Sequence, residues 1–349
     1  LSLLVTPDHY VLRMLYSQGV PLESLGVGAP TSFDPRAGWR IFAQHFHLFR
    51  GTPSAQWMNH VFFEIFGLTE TLSPENADRL FDEIDGLLTT PAFLPRALYD
   101  RFKIEVLATT DAATDTLSHH QRIRRDFPRR ILPTFRPDAC VDAERPAFRE
   151  QLALLAQLTG ENTETLPGYL NALRNRRAFF KQMGATATDH GHPTARTLDL
   201  SSFEAERLFE RLLRNPSAED AELFRAYMLT QFAGMSLDDG LTMQFHPGSL
   251  RNHNRSLFAR HGRDVGADIP TAMEFTRSLR PLLEKYGNEK KFTLILFTLD
   301  ESTYARELAP LAGHYPALRL GPAWWFHDSP EGMIRFREQT TETAGFSNT

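Results

Sequence analysis

The chain lacks the features that mark several classes of protein. It has 349 residues but only one cysteine, Cys140, which excludes an internal disulfide framework and favours a reducing compartment. Its formal net charge is −5, without a long run of like charges, which argues against binding to nucleic acid or to an anionic membrane. We therefore expect a small-molecule partner and a cytoplasmic location, and leave a homo-oligomer open.

Long hydrophobic runs are also missing. The most apolar stretches, such as FTLILF at 292–297, have the length of a strand and fall short of the roughly 18 residues needed to cross a bilayer. The sequence also shows no signal-peptide pattern. Hydrophobic residues nevertheless make up 42% of the chain, which is enough for a sizeable core in one large domain with an insertion, or in two domains.

Short apolar runs of strand length recur along the chain and alternate with helical patterns. This alternation favours a parallel sheet, because parallel neighbours need crossover connections. We predict an α/β fold, a (β/α)8 TIM-like barrel. One strand is missing at the N-terminal side, and the last run is incomplete. The runs lie at 103–110, 129–135, 184–189, 241–246, 292–299, 317–323 and 344–349.

The helical patterns carry start and stop signals. A pattern ending at Gly160 and another running from a serine cap at Ser217 to Gly234 are predicted helices. Residues 33–98 show successive helical patterns without a strand between them, which indicates a helical insertion. Its last helix is predicted to start at a Ser73 cap, with Pro74 in the first helical position.

Polar and aromatic residues stand at the ends of the predicted strands. Barrel active sites lie at these carboxyl ends, so we expect the side chains to gather around one mouth. Arginine binds carboxylates, acids and imidazoles move protons, and indole rings flank C–H surfaces. The set therefore suits a small, anionic, hydroxyl-rich ligand. Its members are Thr110, Asp111, Arg136, Asp138, Asp189, His190, His246, Trp324 and Trp325.

Each of these residues also has an ordinary structural interpretation. His246 can be a strand-end histidine, and Arg251 alone is better explained as a solvated loop arginine. Asp111 and Asp138 stand where an aspartate often caps the following helix. The paired tryptophans can plug the end of a barrel.

The histidines invite a metal interpretation that the sequence supports only weakly. Asp189 opens the segment DHGHP, which places His190 and His192 close to an acid; this spacing can bind a metal but more often forms a turn. The histidines of the insertion lie on amphipathic helical patterns and are interpreted as structural. They are His45, His47 and His60.

Six segments match a known family in the same order along the chain. They are DHYVLRML (8–15) with GV at 19–20, VLATTDAATDTLSHH (106–120), LPTFRPD (132–138), TDHG (188–191), QFHPGSLRNHN (244–254) and GPAWWFHDSPEGM (321–333). Together they resemble uronate isomerase, also called glucuronate isomerase, a family of the amidohydrolase superfamily. The resemblance implies a distorted (β/α)8 barrel with a helical insertion after the first strand. The chain would then divide into residues 1–32 following that strand, the insertion at 33–98, and strands two to eight at 99–349.

The resemblance also implies an activity. Family members interconvert D-glucuronate and D-fructuronate, or D-galacturonate and D-tagaturonate, by proton transfer between C2 and C1 through an enediol, at a site with one divalent metal such as zinc. Carried over by position, the catalytic set is His246, Asp189, whose role is left open, and Tyr10. The substrate-binding set is His9, Arg13, Arg136, Arg251, Trp324 and Trp325.

The family's metal ligands have no match in this sequence. The family places a His-x-His pair on the first strand, before Leu1, and an aspartate on the eighth strand, after the GFSNT at which this sequence ends. That aspartate is also the implied base. The metal site of this chain is therefore expected to be empty. We favour a longer parent chain over a truly shortened protein, because a barrel that lacks a strand exposes unpaired edges and an open core.

Two other functions stay open at this point. A metal-dependent hydrolase of the same superfamily would use a similar aspartate and imidazole, although the matches at 244–254 and 324–328 favour the isomerase. A non-catalytic sugar-acid-binding protein becomes relevant if the chain is truly shortened.

Overall fold

The computed structural model describes residues 4–6, 8–28, 33–127 and 129–349. The chain separates into two compact units. The helical unit comprises Leu1–Ile104 and Leu250–Ile269, and the sheet unit comprises Glu105–Ser249 and Pro270–Thr349. Residues 250–269 are thus grouped with the N-terminal helices. The three-part division at residues 32 and 98 remains a prediction.

A parallel sheet organises the sheet unit. Its strands are β1 (Val106–Ala112), β2 (Arg130–Arg136), β3 (Ala187–His190), β4 (Thr242–Phe245), β7 (Leu294–Leu296) and β8 (Leu318–Leu320); β5 (Ser249–Leu250) and β6 (Ile269–Pro270) form a separate two-stranded sheet. The six strands pair in the order β1-β2-β3-β4-β7-β8, and every pair is parallel. The strands lie side by side in the same order as they occur in the sequence, which is the arrangement of a (β/α) barrel.

Helices connect these strands and build the helical unit. In the described part of the chain they are α1 (His9–Ser17), α2 (Pro35–His45), α3 (Pro53–His60), α4 (Ala77–Leu88), α5 (Pro95–Arg101), α6 (Ser118–Asp126), α7 (Asp138–Val141), α8 (Phe148–Thr159), α9 (Leu166–Gln182), α10 (Ser202–Arg214), α11 (Ala218–Asp239), α12 (Arg255–His261), α13 (Arg280–Tyr286), α14 (Ala309–His314) and α15 (Pro330–Ala344). Short 3-10 turns lie at Leu22–Leu25, Phe46–Phe49, Pro91–Phe93, Glu301–Thr303, Trp325–His327 and Phe346–Asn348, and π-turns at Val61–Ile65 and Tyr304–Leu308.

Six of the predicted strands are confirmed, and the seventh, at 344–349, is wrong. Gly345, with φ of 73°, ends α15, and Phe346–Asn348 form a 3-10 turn. The Asn348 side chain donates to the Ala344 carbonyl at 2.9 Å, and the Arg337 guanidinium donates to the Thr349 carbonyl at 2.8 Å. These local bonds fold the segment back onto its own helix.

The ends of the sheet-unit helices were partly predictable. Gly160, with φ of 75°, follows α8, and the Ser217 hydroxyl accepts from the Asp220 N–H at the start of α11, both as predicted. The predicted end at Gly234 is wrong, because α11 continues to Asp239 and ends at Gly240. The residues just past Gly234 are buried, and a helix that gains packing tolerates an internal glycine.

The predicted start of the last insertion helix is also wrong. Helix α4 begins at Ala77, three residues beyond Pro74, and Asn76 stands at its N-cap. The Asn76 side chain accepts from the Ser73 backbone N–H at 2.8 Å, so Ser73 belongs to a turn that precedes the helix.

The helical unit has its own aromatic core. Trp39, Phe42 and Phe62 are buried there, and the Trp39 indole N–H donates to the Ala77 carbonyl at 2.9 Å. A buried indole needs such a partner, so this bond ties α2 to α4. In the described residues, no helix is both long and apolar enough to cross a membrane.

The pairing of β3 with β4 determines which side chains share a face. Asp189 lies opposite Gln244, and His190 lies opposite Phe245. Successive residues of a strand point to opposite faces, so Asp189 shares a face with Gln244, and His190 shares the other face with the buried Phe245. Consistent with this, the His190 ring lies 4.7 Å from the ring of Phe232 in α11.

Candidate active site at the carboxyl end of the sheet

Three predicted site residues meet where β2, β3 and β4 end. His246 follows β4 directly, and its Nδ1 lies 2.7 Å from Oδ1 of Asp189. Arg136, the last residue of β2, donates from Nη1 to Oδ2 of Asp189 at 3.1 Å. Asp189 therefore bridges an imidazole and a guanidinium with its two oxygens.

Asp189 is held in its ionised form. Burial alone raises the pKa of this carboxyl, but the hydrogen bond from His246 and the charges of His246 and Arg136 outweigh burial and leave the pKa below its ordinary value of 3.8. The carboxylate accepts the Nδ1 proton of His246, so Nε2 is the ring nitrogen left to exchange a proton. The imidazole itself is partly accessible, with a side-chain exposure of 19%.

Asp138 is a second carboxylate partner of Arg136. Its Oδ2 accepts from Nε of Arg136 at 2.8 Å, and the Gly191 N–H lies 3.2 Å from each carboxylate oxygen. The cap interpretation of Asp138 is wrong, because its side chain makes no cap bond to α7 and instead orients Arg136. A Cβ at position 191 would lie 2.4 Å from Nη2 of Arg136, so this close approach needs glycine.

Aromatic rings enclose the other side of His246. The Phe297 ring stacks on the imidazole with centroids 4.0 Å apart and planes at 15°, and the Trp324 ring meets it edge-on at 4.8 Å. A Cβ at Gly321 would lie 2.3 Å from the Phe297 ring. Glycine at 321 therefore leaves room for the ring that positions His246.

The tryptophan pair forms a wall of this site. The rings of Trp324 and Trp325 lie 4.6 Å apart, and Trp325 has a φ of 49°. A bulky residue in the left-handed region is uncommon and marks a locally strained backbone. The Trp324 Nε1–H is buried without a hydrogen-bond partner in the described residues, which leaves a donor for a bound oxygen.

The remaining predicted residues belong to the helical unit. His9, Tyr10 and Arg13 lie on α1, and the His9 and Tyr10 rings contact each other at 4.3 Å. Arg251 pairs with Asp268 at 2.6 Å, with 45% of its side chain exposed. Burial lowers the pKa of His9 despite nearby acidic groups that include Asp268. That His9, Tyr10, Arg13 and Arg251 contact the substrate remains a prediction.

Several other polar residues have structural partners. Asp111 lies within β1 and accepts from the Thr109 hydroxyl at 2.7 Å, so it does not cap α6. In the helical unit, Nδ1 of His45 donates to the Ile41 carbonyl and Nδ1 of His47 to the Gln44 carbonyl, as the structural interpretation predicts. His60 ends α3. Burial raises the pKa of the Cys140 thiol to about 12, so this cysteine is a poor nucleophile.

A group able to hold a metal lies next to Arg136. One ligand atom from each of Asp138, His190 and His192 lies within 4.8 Å of the others. All three residues are buried, and burial lowers the pKa of both histidines. The sequence pattern of the histidine pair left a metal site open, with a turn as the more common interpretation. Asp138, about 50 residues earlier, joins the two histidines only through the pairing of β2 with β3.

A metal at His246 does not fit the side chains described there. Asp189 places one oxygen on His246 and the other on Arg136, and His246 directs Nδ1 at Asp189. In the described part of the chain, the three-ligand group is instead Asp138, His190 and His192.

Sequence reasoning missed one residue that shapes the site. Phe297 was hidden in an apolar run, and only the sheet shows that it stacks on His246. Asp138 was placed among the strand-end residues, with a helix cap as the alternative, but its contact with Arg136 was not predicted.

Comparisons with known proteins identify the family. The chain matches the glucuronate isomerase family over residues 1–348. It is 61% identical to the uronate isomerase of Phenylobacterium zucineum over all of this chain and 74% of that protein. It is 62% identical to the uronate isomerase of Rhizorhabdus wittichii over 99% of this chain and 74% of that protein.

Solved structures show the same likeness. The crystal structure of glucuronate isomerase from Caulobacter crescentus matches with a TM-score of 0.97 at 56% identity, over 99% of this chain and 73% of that one. The uronate isomerase of Thermotoga maritima matches with a TM-score of 0.91 at 28% identity, over 98% and 74% of the two chains. The six-stranded parallel sheet is therefore that of these TIM-like enzymes, and the chain belongs to the glucuronate isomerase family and is an isomerase.

Proposed function

We propose that the chain interconverts D-glucuronate and D-fructuronate, and D-galacturonate and D-tagaturonate, by moving a proton between C2 and C1. The observation that carries this proposal is the hydrogen-bonded chain of Arg136, Asp189 and His246 at the carboxyl end of the sheet. It occurs in a chain that is 61% identical to a uronate isomerase.

The three residues suit the proton transfer between the two oxygens of the substrate. An aldose and a ketose interconvert through an enediol, so one proton moves between the two carbons and another between their oxygens. The resemblance assigns the carbon proton to an aspartate of the family's eighth strand. His246 then moves the oxygen proton through Nε2, Asp189 holds the ring in the required tautomer, and Arg136 stabilises the negative charge that develops on oxygen.

Substrate binding draws on the remaining predicted residues. Trp324 and Trp325 offer an apolar wall and an indole N–H against the sugar's C–H surface and hydroxyls. His9, Tyr10, Arg13 and Arg251 are proposed to contact the hexuronate. Arginine matches its carboxylate in a bidentate manner. Tyr10 stays in the catalytic set as a hydroxyl that can donate or accept a proton.

Zinc is the metal in this proposal because the resemblance implies it, and because zinc accepts imidazole and carboxylate ligands. When bound, it would supply Lewis-acid polarisation of the sugar's oxygens. None of the residues given a role above is assigned as its ligand, since the described side chains around His246 do not fit a metal. A cytoplasmic location and a homo-oligomeric state remain predictions.

An isomerisation assay tests the function. A full-length preparation of the protein is incubated with D-glucuronate as purified, after chelation, and after zinc is restored, and ketose formation is followed by NMR. We expect turnover that chelation abolishes and zinc restores. D-glucose serves as the matched substrate control, because it lacks the carboxylate and should turn over far more slowly. Absence of uronate turnover by the zinc-loaded protein would overturn the proposal.

A further inference from the structure

Three buried side chains direct ligand atoms to one point beside β3. We propose that Asp138, His190 and His192 form a divalent-cation site of the kind that zinc occupies, built from residues to which the family resemblance assigns no metal. The three residues are 4%, 0% and 6% exposed, and one ligand atom of each lies within 4.8 Å of the others. Two imidazoles and one carboxylate are a ligand set that zinc uses in proteins, with a fourth position left for water.

Three ring nitrogens of the histidine pair have no hydrogen-bond partner in the described residues. They are both ring nitrogens of His192 and Nδ1 of His190, and all three are buried. Buried polar atoms are normally paired, so each such atom needs an explanation, an unseen ion being one of them. Asp138 accepts from Arg136 and Gly191, but a carboxylate has about four lone-pair sites. A single cation therefore gives all three residues a partner.

The surrounding structure orients the two histidine rings. Nε2 of His190 lies 2.9 Å from the Thr188 hydroxyl. A proton on this nitrogen leaves the Nδ1 lone pair for a metal, as a second partner does in many metal sites. The backbone is fixed as well, because the His246 N–H donates to the His190 carbonyl at 2.8 Å and the Gly248 N–H to the His192 carbonyl at 3.3 Å.

The guanidiniums near the group are paired with carboxylates. Arg136 alone would oppose a cation, but it is paired with the two carboxylates of Asp138 and Asp189. A second guanidinium, that of Arg225, contributes to the field at His192, and it is neutralised by more than one acid. These acids are Asp142, Glu144 and Glu222. A third guanidinium, that of Arg177, acts on His190 and is paired with Asp239, so each of these guanidiniums has a carboxylate partner.

Metal content of variants tests the site. The chain is expressed in zinc-supplemented medium, and metal per chain is measured by elemental mass spectrometry. We expect H192N and D138N to lose about one zinc ion per chain, while the matched control H119N, at an exposed position, keeps the wild-type content. Equal zinc content in all folded variants, or a zinc-free wild type, would overturn the site.

A second experiment detects a new absorption band and does not depend on the folding of H192N and D138N. In H192C a thiolate replaces one imidazole, so the cobalt-loaded protein should show a thiolate-to-cobalt charge-transfer band in the near ultraviolet that wild type and H119C lack. Circular dichroism confirms folding. A folded, cobalt-loaded H192C protein without this band would overturn the site. Neither readout depends on turnover, so the outcome is independent of the proposed isomerase function.

Discussion

The predicted site residues fall into two groups that are built differently. In the sheet unit, Arg136, Asp189 and His246 come from three neighbouring strands and are linked by hydrogen bonds of 3.1 and 2.7 Å. In the helical unit, Arg251 lies in the segment 250–269, is about half exposed and makes an ion pair with Asp268. The first group is linked by hydrogen bonds, whereas Arg251 of the second group is exposed to solvent.

This difference indicates a division of labour. Groups that move protons gain from fixed geometry and low solvent access, because their alignment costs nothing during the reaction. A charge that recruits an anion can remain exposed, since it acts over a longer distance and is screened by salt. The sheet-unit group is therefore expected to govern kcat, and the helical-unit arginine to govern KM.

The largest effect is expected for His246→Asn. Removing the imidazole removes the group that exchanges the oxygen proton, so kcat should fall about 10²- to 10⁴-fold with a smaller change in KM. Steady-state kinetics with D-glucuronate measure this change, and His314→Asn, at an exposed histidine of the same unit, is the matched control. Adding Asp189→Asn should lower kcat less than additively, because the two residues act as one unit. A near-wild-type kcat would make His246 an ordinary strand-end histidine.

An intermediate effect is expected for Arg251→Met. The side chain is exposed, and its ion pair with Asp268 is worth at most about 1 kcal/mol, so stability should hardly change. Arg251 is among the proposed substrate contacts, so its loss should raise KM about tenfold. The matched control is Arg260→Met, because Arg260 lies in the same segment and also makes an ion pair, with Glu23. If both variants keep the wild-type KM, the contrast between the two groups fails and Arg251 is a solvated loop residue.

The smallest effect on turnover is expected for Glu307→Gln. This variant tests whether burial alone explains why the sheet-unit residues are expected to govern kcat. Glu307 is a buried carboxylate of the sheet unit that accepts from the Phe275 and Thr276 N–H groups at 2.6 and 3.0 Å. Burial raises its pKa, but these bonds and Arg306 outweigh burial and hold the pKa below 4.5. Its stabilisation is therefore present above pH 4.5 and is lost as the pH falls through the folded-state pKa.

Glu307→Gln should accordingly lower the free energy of unfolding by about 1–3 kcal/mol at pH 7 and leave kcat unchanged. Urea denaturation at several pH values should show this difference narrowing below pH 4.5. The exposed Glu284→Gln, which removes a surface pair with Arg280, should change stability by less than about 0.5 kcal/mol. A loss of turnover in Glu307→Gln would show that buried acids outside the mouth also influence the chemistry.

Much of the fold was predictable because local chemistry determines it. Six apolar runs became strands, and Gly160 and Ser217 mark helix ends, since hydrophobic periodicity and capping act over a few residues. The errors lie where packing overrides local signals. Helix α11 passes Gly234 because the following residues are buried, and the segment at 344–349 bonds to its own helix instead of forming a strand.

The sequence by itself determined the alternation of strands and helices, the succession of helices in residues 33–98 and the polar residues at the strand ends, because each depends on near neighbours in the chain. Only the tertiary structure decided how these residues are connected. Asp189 faces His246 because of the register between β3 and β4, and Asp138 reaches the histidine pair because β2 lies beside β3. Such contacts join residues about 50 positions apart, and a chain can specify them only by folding.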